Sequence, residues 1–177
     1  MKSNIILIGF MGCGKSTIGK RIAKDCGMNF IDTDAWIEAN EKVTISEIFA
    51  TKGESYFRDL ETKCVKCLLE ECNADNCETA ERMVISVGGG LPMREENRTL
   101  LKQLGKVVYL KATEDTIYNR LKDDTTRPLL QGENPQKKIR DLMELREEKY
   151  CQASDMVVVV DNKTVREIVE EINASLE

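Results

Sequence analysis

The chain has 177 residues, of which 41% are hydrophobic and 32% are charged, and its formal net charge at pH 7 is -5. This length fits a single domain over residues 1–177 and is too short for two of ordinary size. The acidic balance argues against general binding to nucleic acids, because proteins that bind them usually present a basic surface. The absence of histidine excludes histidine-ligated metal sites and leaves acid-base chemistry to carboxylates.

The sequence also argues against membranes and export. Its apolar runs fall well short of the about 20 residues that a membrane-spanning helix needs, and its start lacks the pattern of an export signal. Seven cysteines without such a signal indicate reduced thiols in the cytosol rather than a disulfide framework. We therefore expect a cytoplasmic protein.

Short β-rich segments alternate with stretches of helical periodicity along the chain. The predicted strands are residues 4–8, 29–31, 84–87, 107–110 and 156–160. The predicted helices are residues 16–26, 46–72, 95–104, 114–122, 137–151 and 164–176. Strands that are apolar throughout suit a parallel sheet with both faces covered. The alternation predicts an α/β fold, a three-layer α/β/α sandwich with right-handed crossovers.

The first predicted strand runs into the stretch GFMGCGKST, residues 9–17. Its spacing matches the phosphate-binding loop G-x-x-x-x-G-K-[ST]. A glycine turn before a helix aims backbone N–H groups and the positive end of the helix dipole at a polyphosphate. Lys15 would add a charge near the β- and γ-phosphates of ATP, and Ser16 would offer its hydroxyl to Mg²⁺. The residues predicted to contact the nucleotide here are Gly12, Cys13, Gly14, Lys15, Ser16 and Thr17.

Two carboxylates follow the second predicted strand. Magnesium touches few protein oxygens, so a carboxylate near the strand ends is expected to complete its site. Asp32 or Asp34 can supply it. Alternatively, Asp34 is the N-cap of a helix that begins at Ala35, a position that aspartate favours.

The polar stretch DDTTRPLLQGENPQ, residues 123–136, is predicted to be a loop, because its prolines and glycine interrupt helix. A loop of this length in a compact domain is usually either functional or disordered. Arg127, beside a rigid proline, favours a functional loop.

Further stretches occur in a fixed order behind GFMGCGKSTIGKRIA: FIDTDAWIE (30–38), GESYFRDLE (53–61), VGGGLP (87–92), RPLL (127–130) and REEKYCQASD (146–155). Together they resemble the shikimate kinase family, from residue 4 to about residue 169. The resemblance implies a fold similar to nucleoside monophosphate kinases, with a five-stranded parallel sheet in the order 2-3-1-4-5. It also implies a substrate-binding segment at about residues 33–61 and a lid at about residues 122–136.

The resemblance further implies a reaction. Such an enzyme uses ATP and Mg²⁺ to phosphorylate the 3-hydroxyl of shikimate, giving shikimate 3-phosphate in the chorismate pathway to aromatic amino acids. The expected partners are therefore the small molecules ATP and shikimate, with no nucleic acid and no membrane, and the expected state is a monomer.

Residue roles on the acceptor side follow from the same resemblance. Arg58 and Arg146 would bind the shikimate carboxylate, a task that suits planar cations. Asp34 would accept hydrogen bonds from ring hydroxyls and orient the attacking one or take its proton. Glu61 would brace the arginines. The glycine turn of Gly88, Gly89 and Gly90 would let the substrate approach the backbone closely.

On the nucleotide side, Asp32 resembles the residue that holds Mg²⁺ through water, and Arg127 resembles the lid arginine that closes onto the transferred phosphate. Together with Lys15 of the phosphate loop and Asp34, Arg127 is expected to be catalytic. Arg120 resembles an arginine that stacks on adenine. Lys163 is a candidate base contact, although the family often carries a different, basic or proline-bearing turn there.

Simpler interpretations remain open for several of these residues. Arg58 and Glu61 could form a surface ion pair of about 0.3–0.5 kcal/mol. Arg146 and Arg120 could be ordinary surface charges, and the three glycines an ordinary turn. The reaction could also use another small alcohol, such as gluconate or a nucleoside monophosphate, or the chain could be a non-catalytic nucleotide-binding paralogue.

Four cysteines in the middle of the chain allow a second alternative, a zinc site. They are Cys64, Cys67, Cys72 and Cys77. The first two fall on the apolar stripe of a predicted helix and are expected to face the core. The second pair lacks the close spacing that zinc sites usually have.

Overall fold

A computed structural model describes residues 4–74, 82–122 and 134–175. Its strands are β1 Asn4–Ile8, β2 Asn29–Asp32, β3 Met83–Ser86, β4 Gly105–Lys111 and β5 Met156–Val159. They form one five-stranded sheet in the order β2-β3-β1-β4-β5, and every neighbouring pair is parallel. The predicted order 2-3-1-4-5 is therefore confirmed.

Helices cover both faces of this sheet. They are α1 Lys15–Cys26, α2 Thr33–Glu41, α3 Ile45–Ala74, α4 Glu95–Leu104, α5 Glu114–Leu121, α6 Pro135–Ala153 and α7 Val165–Ala174, with a 3₁₀ turn at Leu91–Met93. The side chains of β1 alternate between two buried clusters: Ile5 and Leu7 pack with α1, α5 and α7, while Ile6 and Ile8 pack with α3 and α4. The predicted sandwich of three layers is thus confirmed.

The structure corrects the sequence prediction in the region before β3. The sequence predicts helix α2 only in the alternative interpretation of Asp34, as the N-cap of a helix that begins at Ala35. The N-cap is instead Asp32, whose Oδ1 accepts hydrogen bonds from the N–H groups of Asp34 at 3.1 Å and Ala35 at 3.4 Å. The helix predicted over residues 46–72 is also interrupted, because Gly53 adopts φ 82° and ψ 173°. Glycine permits this conformation without steric cost.

The described parts of the chain contain no helix that is both long and apolar enough to cross a membrane. Six of the cysteines lie in these parts and are free thiols.

Candidate active site

The loop between β1 and α1 lies at the carboxyl end of β1 and leads directly into the start of α1. Gly14 is the N-cap of α1, with φ 104° and ψ 15°, and within residues 4–74 no side chain caps this helix end. Gly9 has φ 143°, and a Cβ there would lie 2.6 Å from the carbonyl oxygen of Leu110. Both positions therefore require glycine, and the first N–H groups of α1 remain available to an anion.

Two cations border this loop. The ammonium of Lys15 folds back over it and donates to the carbonyls of Gly9 at 2.9 Å and Phe10 at 3.1 Å. Arg120 reaches across from α5 and donates through Nη1 to the carbonyl of Gly12 at 3.0 Å. Arg120 therefore contacts the phosphate loop itself, and its stacking on adenine stays a prediction.

Hydroxyl and carboxylate oxygens meet beside Lys15, at the ends of β2 and β3. Ser16 donates through Oγ to Oδ2 of Asp32 at 2.8 Å, and Oγ of Ser86 lies 3.4 Å from Oγ of Ser16. An all-oxygen donor set of this kind fits Mg²⁺, which prefers hard ligands and keeps several waters. Ser86 was not among the predicted residues. The available signal was a hydroxyl residue that ends the apolar strand MVIS.

These groups line a cleft of about 470 Å³ beyond the carboxyl ends of the strands, where parallel α/β sheets usually bind ligands. Most of the predicted site residues lie on its wall: Gly12, Cys13, Gly14, Lys15, Ser16, Thr17, Asp32, Asp34, Gly88, Gly89, Arg120 and Lys163. Lys163 is also paired with Glu171 at 2.6 Å. The cleft therefore unites the predicted nucleotide residues with Asp34 and with two glycines of the turn.

Arg58 lies directly over this glycine turn. Its Nη1 donates to Glu61 at 2.7 Å and its Nη2 to Glu54 at 2.9 Å. A Cβ on Gly90 would come within 2.6 Å of the guanidinium carbon of Arg58. The side chain of Glu61 is only 1% exposed, so the alternative of a surface ion pair is wrong.

Glu61 places a second carboxylate near Asp34. A Cβ on Gly88 would lie 2.8 Å from Oε1 of Glu61 and 2.7 Å from Oδ1 of Asp34. Burial raises the pKa of Glu61 to about 7, although the charge and hydrogen bond of Arg58 oppose the rise and the charge of Asp34 adds to it. Among the described residues, Oε1 of Glu61 has no hydrogen-bond partner. A charged Glu61 is therefore disfavoured at neutral pH relative to an exposed glutamate.

Arg146 approaches from α6. It is half-buried, and its guanidinium carbon lies 5.6 Å from the centre of the Phe10 ring in the phosphate loop. One turn further along α6, the hydroxyl of Tyr150 donates to the carbonyl of Gly89 at 2.6 Å. Arg146 therefore packs against the site rather than extending freely into solvent.

Some predicted residues fall elsewhere. Arg127, most of the predicted lid at residues 122–136, and Cys77 lie outside the described residues.

Cys64 is buried, as expected, but Cys67 is only half-buried. Within the described ranges, no group of three cysteine, aspartate or glutamate side chains could hold a metal ion, so the zinc alternative has no support there.

The family model for shikimate kinase matches residues 11–177 of this chain. The chain belongs to the shikimate kinase family. A shikimate kinase from Thermodesulfovibrio yellowstonii is 42% identical over 169 residues, which are 96% of this chain and 92% of the relative. The structure of a shikimate kinase from Acinetobacter baumannii in complex with shikimate has a TM-score of 0.87 at 34% identity, covering 98% of this chain and 92% of the other.

A gluconokinase from Sinorhizobium meliloti shares the fold at a TM-score of 0.56 and 19% identity, over 99% of this chain and 91% of the other. This likeness extends to the fold alone. Membership of the shikimate kinase family confirms the predicted family and the predicted enzyme class, an ATP-dependent kinase that acts on an alcohol.

Proposed function

We propose that this member of the shikimate kinase family transfers the γ-phosphate of ATP to the 3-hydroxyl of shikimate and releases ADP and shikimate 3-phosphate. The observation that carries the proposal is the position of the turn Gly88–Gly90. It borders the cleft of the phosphate loop on one side and the guanidinium of Arg58 on the other. A phosphate donor and a ring acid would therefore meet across one short segment of backbone.

The donor half of the reaction falls to the phosphate loop. The amides at the start of α1 and the ammonium of Lys15 bind the phosphates, and Ser16 and Asp32 would hold Mg²⁺, with Ser86 close by. When bound, Mg²⁺ neutralises charge on the phosphate oxygens and helps to align them. Lys15 donates to the carbonyls of Gly9 and Phe10, so binding the phosphates requires its ammonium to leave those carbonyls. Arg120 and Lys163 line the cleft where the adenosine would lie.

The acceptor half falls to the residues around the glycine turn. Arg58 and Arg146 bind the shikimate carboxylate, and Glu61 holds Arg58 in place through its bond of 2.7 Å. Asp34 orients the 3-hydroxyl and accepts its proton as the oxygen attacks the γ-phosphorus. Phosphoryl transfer depends mainly on alignment and charge neutralisation, so the geometry of Asp34 matters more than its basicity.

Closure over the two substrates belongs to the same proposal. The substrate-binding segment at about residues 33–61 and a lid at about residues 122–136 close together, and Arg127 in the lid contacts the transferred phosphate. Excluding water prevents hydrolysis of ATP. We expect one such domain over residues 1–177, acting as a monomer in the cytoplasm on ATP and shikimate, without nucleic-acid or membrane partners.

A coupled assay of ADP release tests the proposal. With ATP and Mg²⁺ present, we expect ADP release that depends on shikimate, and little release with gluconate or a nucleoside monophosphate as acceptor. The matched variant Asp34→Asn should lose most turnover while still binding ATP. Release that depended on gluconate instead of shikimate, or ATP binding without transfer to any acceptor, would overturn the proposal.

A further inference from the structure

Two buried side chains hold the backbone of the glycine turn, which has no side chains of its own. The hydroxyl of Thr33 accepts a hydrogen bond from the N–H of Gly88 at 3.0 Å, and the hydroxyl of Tyr150 donates to the carbonyl of Gly89 at 2.6 Å. Thr33 is 0% exposed and Tyr150 is 1% exposed. Gly88 and Gly89, which are consecutive in the turn, are thus hydrogen-bonded to side chains of two different helices, α2 and α6.

Each of these side chains sits next to a residue that the proposed function needs. Thr33 directly precedes Asp34 at the start of α2. Tyr150 follows Arg146 by four residues on α6, which places both side chains on one face of that helix. The two hydrogen bonds therefore connect the turn to α2, which carries the proposed hydroxyl-binding residue Asp34, and to α6, which carries the proposed carboxylate-binding residue Arg146.

The turn also touches the phosphate loop. A Cβ on Gly89 would lie 3.4 Å from the carbonyl of Gly9 and 3.7 Å from the hydroxyl of Tyr150, so Gly89 fills the space between them. Glycine segments are conformationally free, and a misplacement of about 1 Å in an active site can cost about 10²-fold in rate. A turn made of three glycines therefore needs external anchors to keep its place.

We propose that Thr33 and Tyr150 are positioning residues, which hold the turn Gly88–Gly90 at a set distance from Asp34 and Arg146 so that the ring acid can bind. This inference rests on the proposed function. Neither residue touches the reacting atoms in this scheme. Both act through the backbone of the turn.

The surroundings of Tyr150 suit the role of a fixed donor. Its ring packs on that of Tyr109, with centres 5.1 Å apart. Burial raises the pKa of Tyr150 to about 12, although the charge of Arg146 and its hydrogen bond to the Tyr150 hydroxyl oppose the rise. The hydroxyl therefore keeps its proton over the working pH range and continues to donate to the carbonyl of Gly89.

The experiment compares Tyr150→Phe with Tyr109→Phe. Both variants keep the paired rings. Only the first removes the hydroxyl that bonds the carbonyl of Gly89, and with it the bond between that hydroxyl and Arg146. Without this bond the turn is held less firmly relative to Asp34 and Arg146, and ordering it on binding costs affinity, so we expect the Kd of shikimate to rise about tenfold in Tyr150→Phe. The Kd should stay within about twofold of the original in Tyr109→Phe, as should the KM of ATP in both variants.

Fluorescence of Trp36, the one tryptophan in the sequence, reports shikimate binding from helix α2. Thr33→Val is measured as well, because it removes the acceptor of the Gly88 N–H at nearly constant volume and leaves the bond between Tyr150 and Arg146 in place; it stands alone if Tyr150→Phe does not fold. A rise in Kd confined to Tyr150→Phe would trace to Arg146 and overturn the positioning role. An unchanged Kd of shikimate in the folded variant, with normal binding by the unmodified chain, overturns the positioning role alone. An unmodified chain that binds no shikimate overturns the proposed function as well.

Discussion

Replacing Glu61 by Gln should flatten the dependence of stability on pH. Burial raises the pKa of this carboxyl from 4.5 to about 7 in the folded chain. A group whose pKa is higher in the folded chain than in the unfolded chain stabilises the fold fully at pH values below its pKa in the unfolded chain. This stabilisation is lost as the pH rises through the pKa in the folded chain. The groups that face Glu61 are Arg58, Asp34 and Arg94, and burial outweighs the two arginines.

The expected magnitude follows from the two pKa values. A rise of the pKa from 4.5 in the unfolded chain to about 7 in the folded chain lowers the free energy of unfolding at high pH by about 3.4 kcal/mol. Between about pH 5 and about pH 8, the free energy of unfolding should fall by about 2.5 kcal/mol through Glu61. Because glutamine does not titrate, the free energy of unfolding of Glu61→Gln should lack this decrease between the two pH values, whatever the absolute stability of the variant.

Urea denaturation at the two pH values measures the free energy of unfolding. The matched control is Glu54→Gln, since Glu54 pairs with the same Arg58 but its side chain is 67% exposed. This control should keep the pH dependence of the unmodified chain. The reasoning is refuted if Glu61→Gln and the unmodified chain lose equal stability between the two pH values.

Two further predictions concern the ligands. Gly90→Ala should raise the KM of shikimate at least about tenfold, because its Cβ would displace the guanidinium of Arg58. It should also lower stability, since the buried Glu61 would lose its partner. Steady-state kinetics and thermal unfolding check this, and an unchanged KM would contradict it. Lys15→Ala should lower kcat about 10²–10³-fold with an unchanged circular dichroism spectrum, and turnover within about threefold of normal would exclude Lys15 from the chemistry.

Much of the fold could be predicted from the sequence, because its signals are local. The strands β1 and β4 are apolar runs buried on both faces, and the helix that follows β1 has regular periodicity. Helix α2 was expected only as an alternative, because it starts directly at the end of β2 and leaves no turn residues to mark the boundary. The interruption of the helix at Gly53 could not be predicted from the sequence, since a lone glycine is tolerated within a helix.

The phosphate loop was likewise predictable, because its glycines, lysine and hydroxyl are consecutive in sequence and their backbone conformation is a local property. The sheet order and the roles of Arg58, Asp34 and Arg146 came from a family resemblance, which periodicity alone could not supply.

Only the tertiary structure decided which distant residues meet. Ser86 approaches Ser16 across 70 positions of the chain, and Tyr150 reaches Gly89 across 61. The burial of Glu61, and with it the raised pKa, depends on how α3 packs beside the glycine turn. Such contacts are set by the packing of helices on the sheet, and no local pattern of residues encodes the distance between two side chains far apart in the chain.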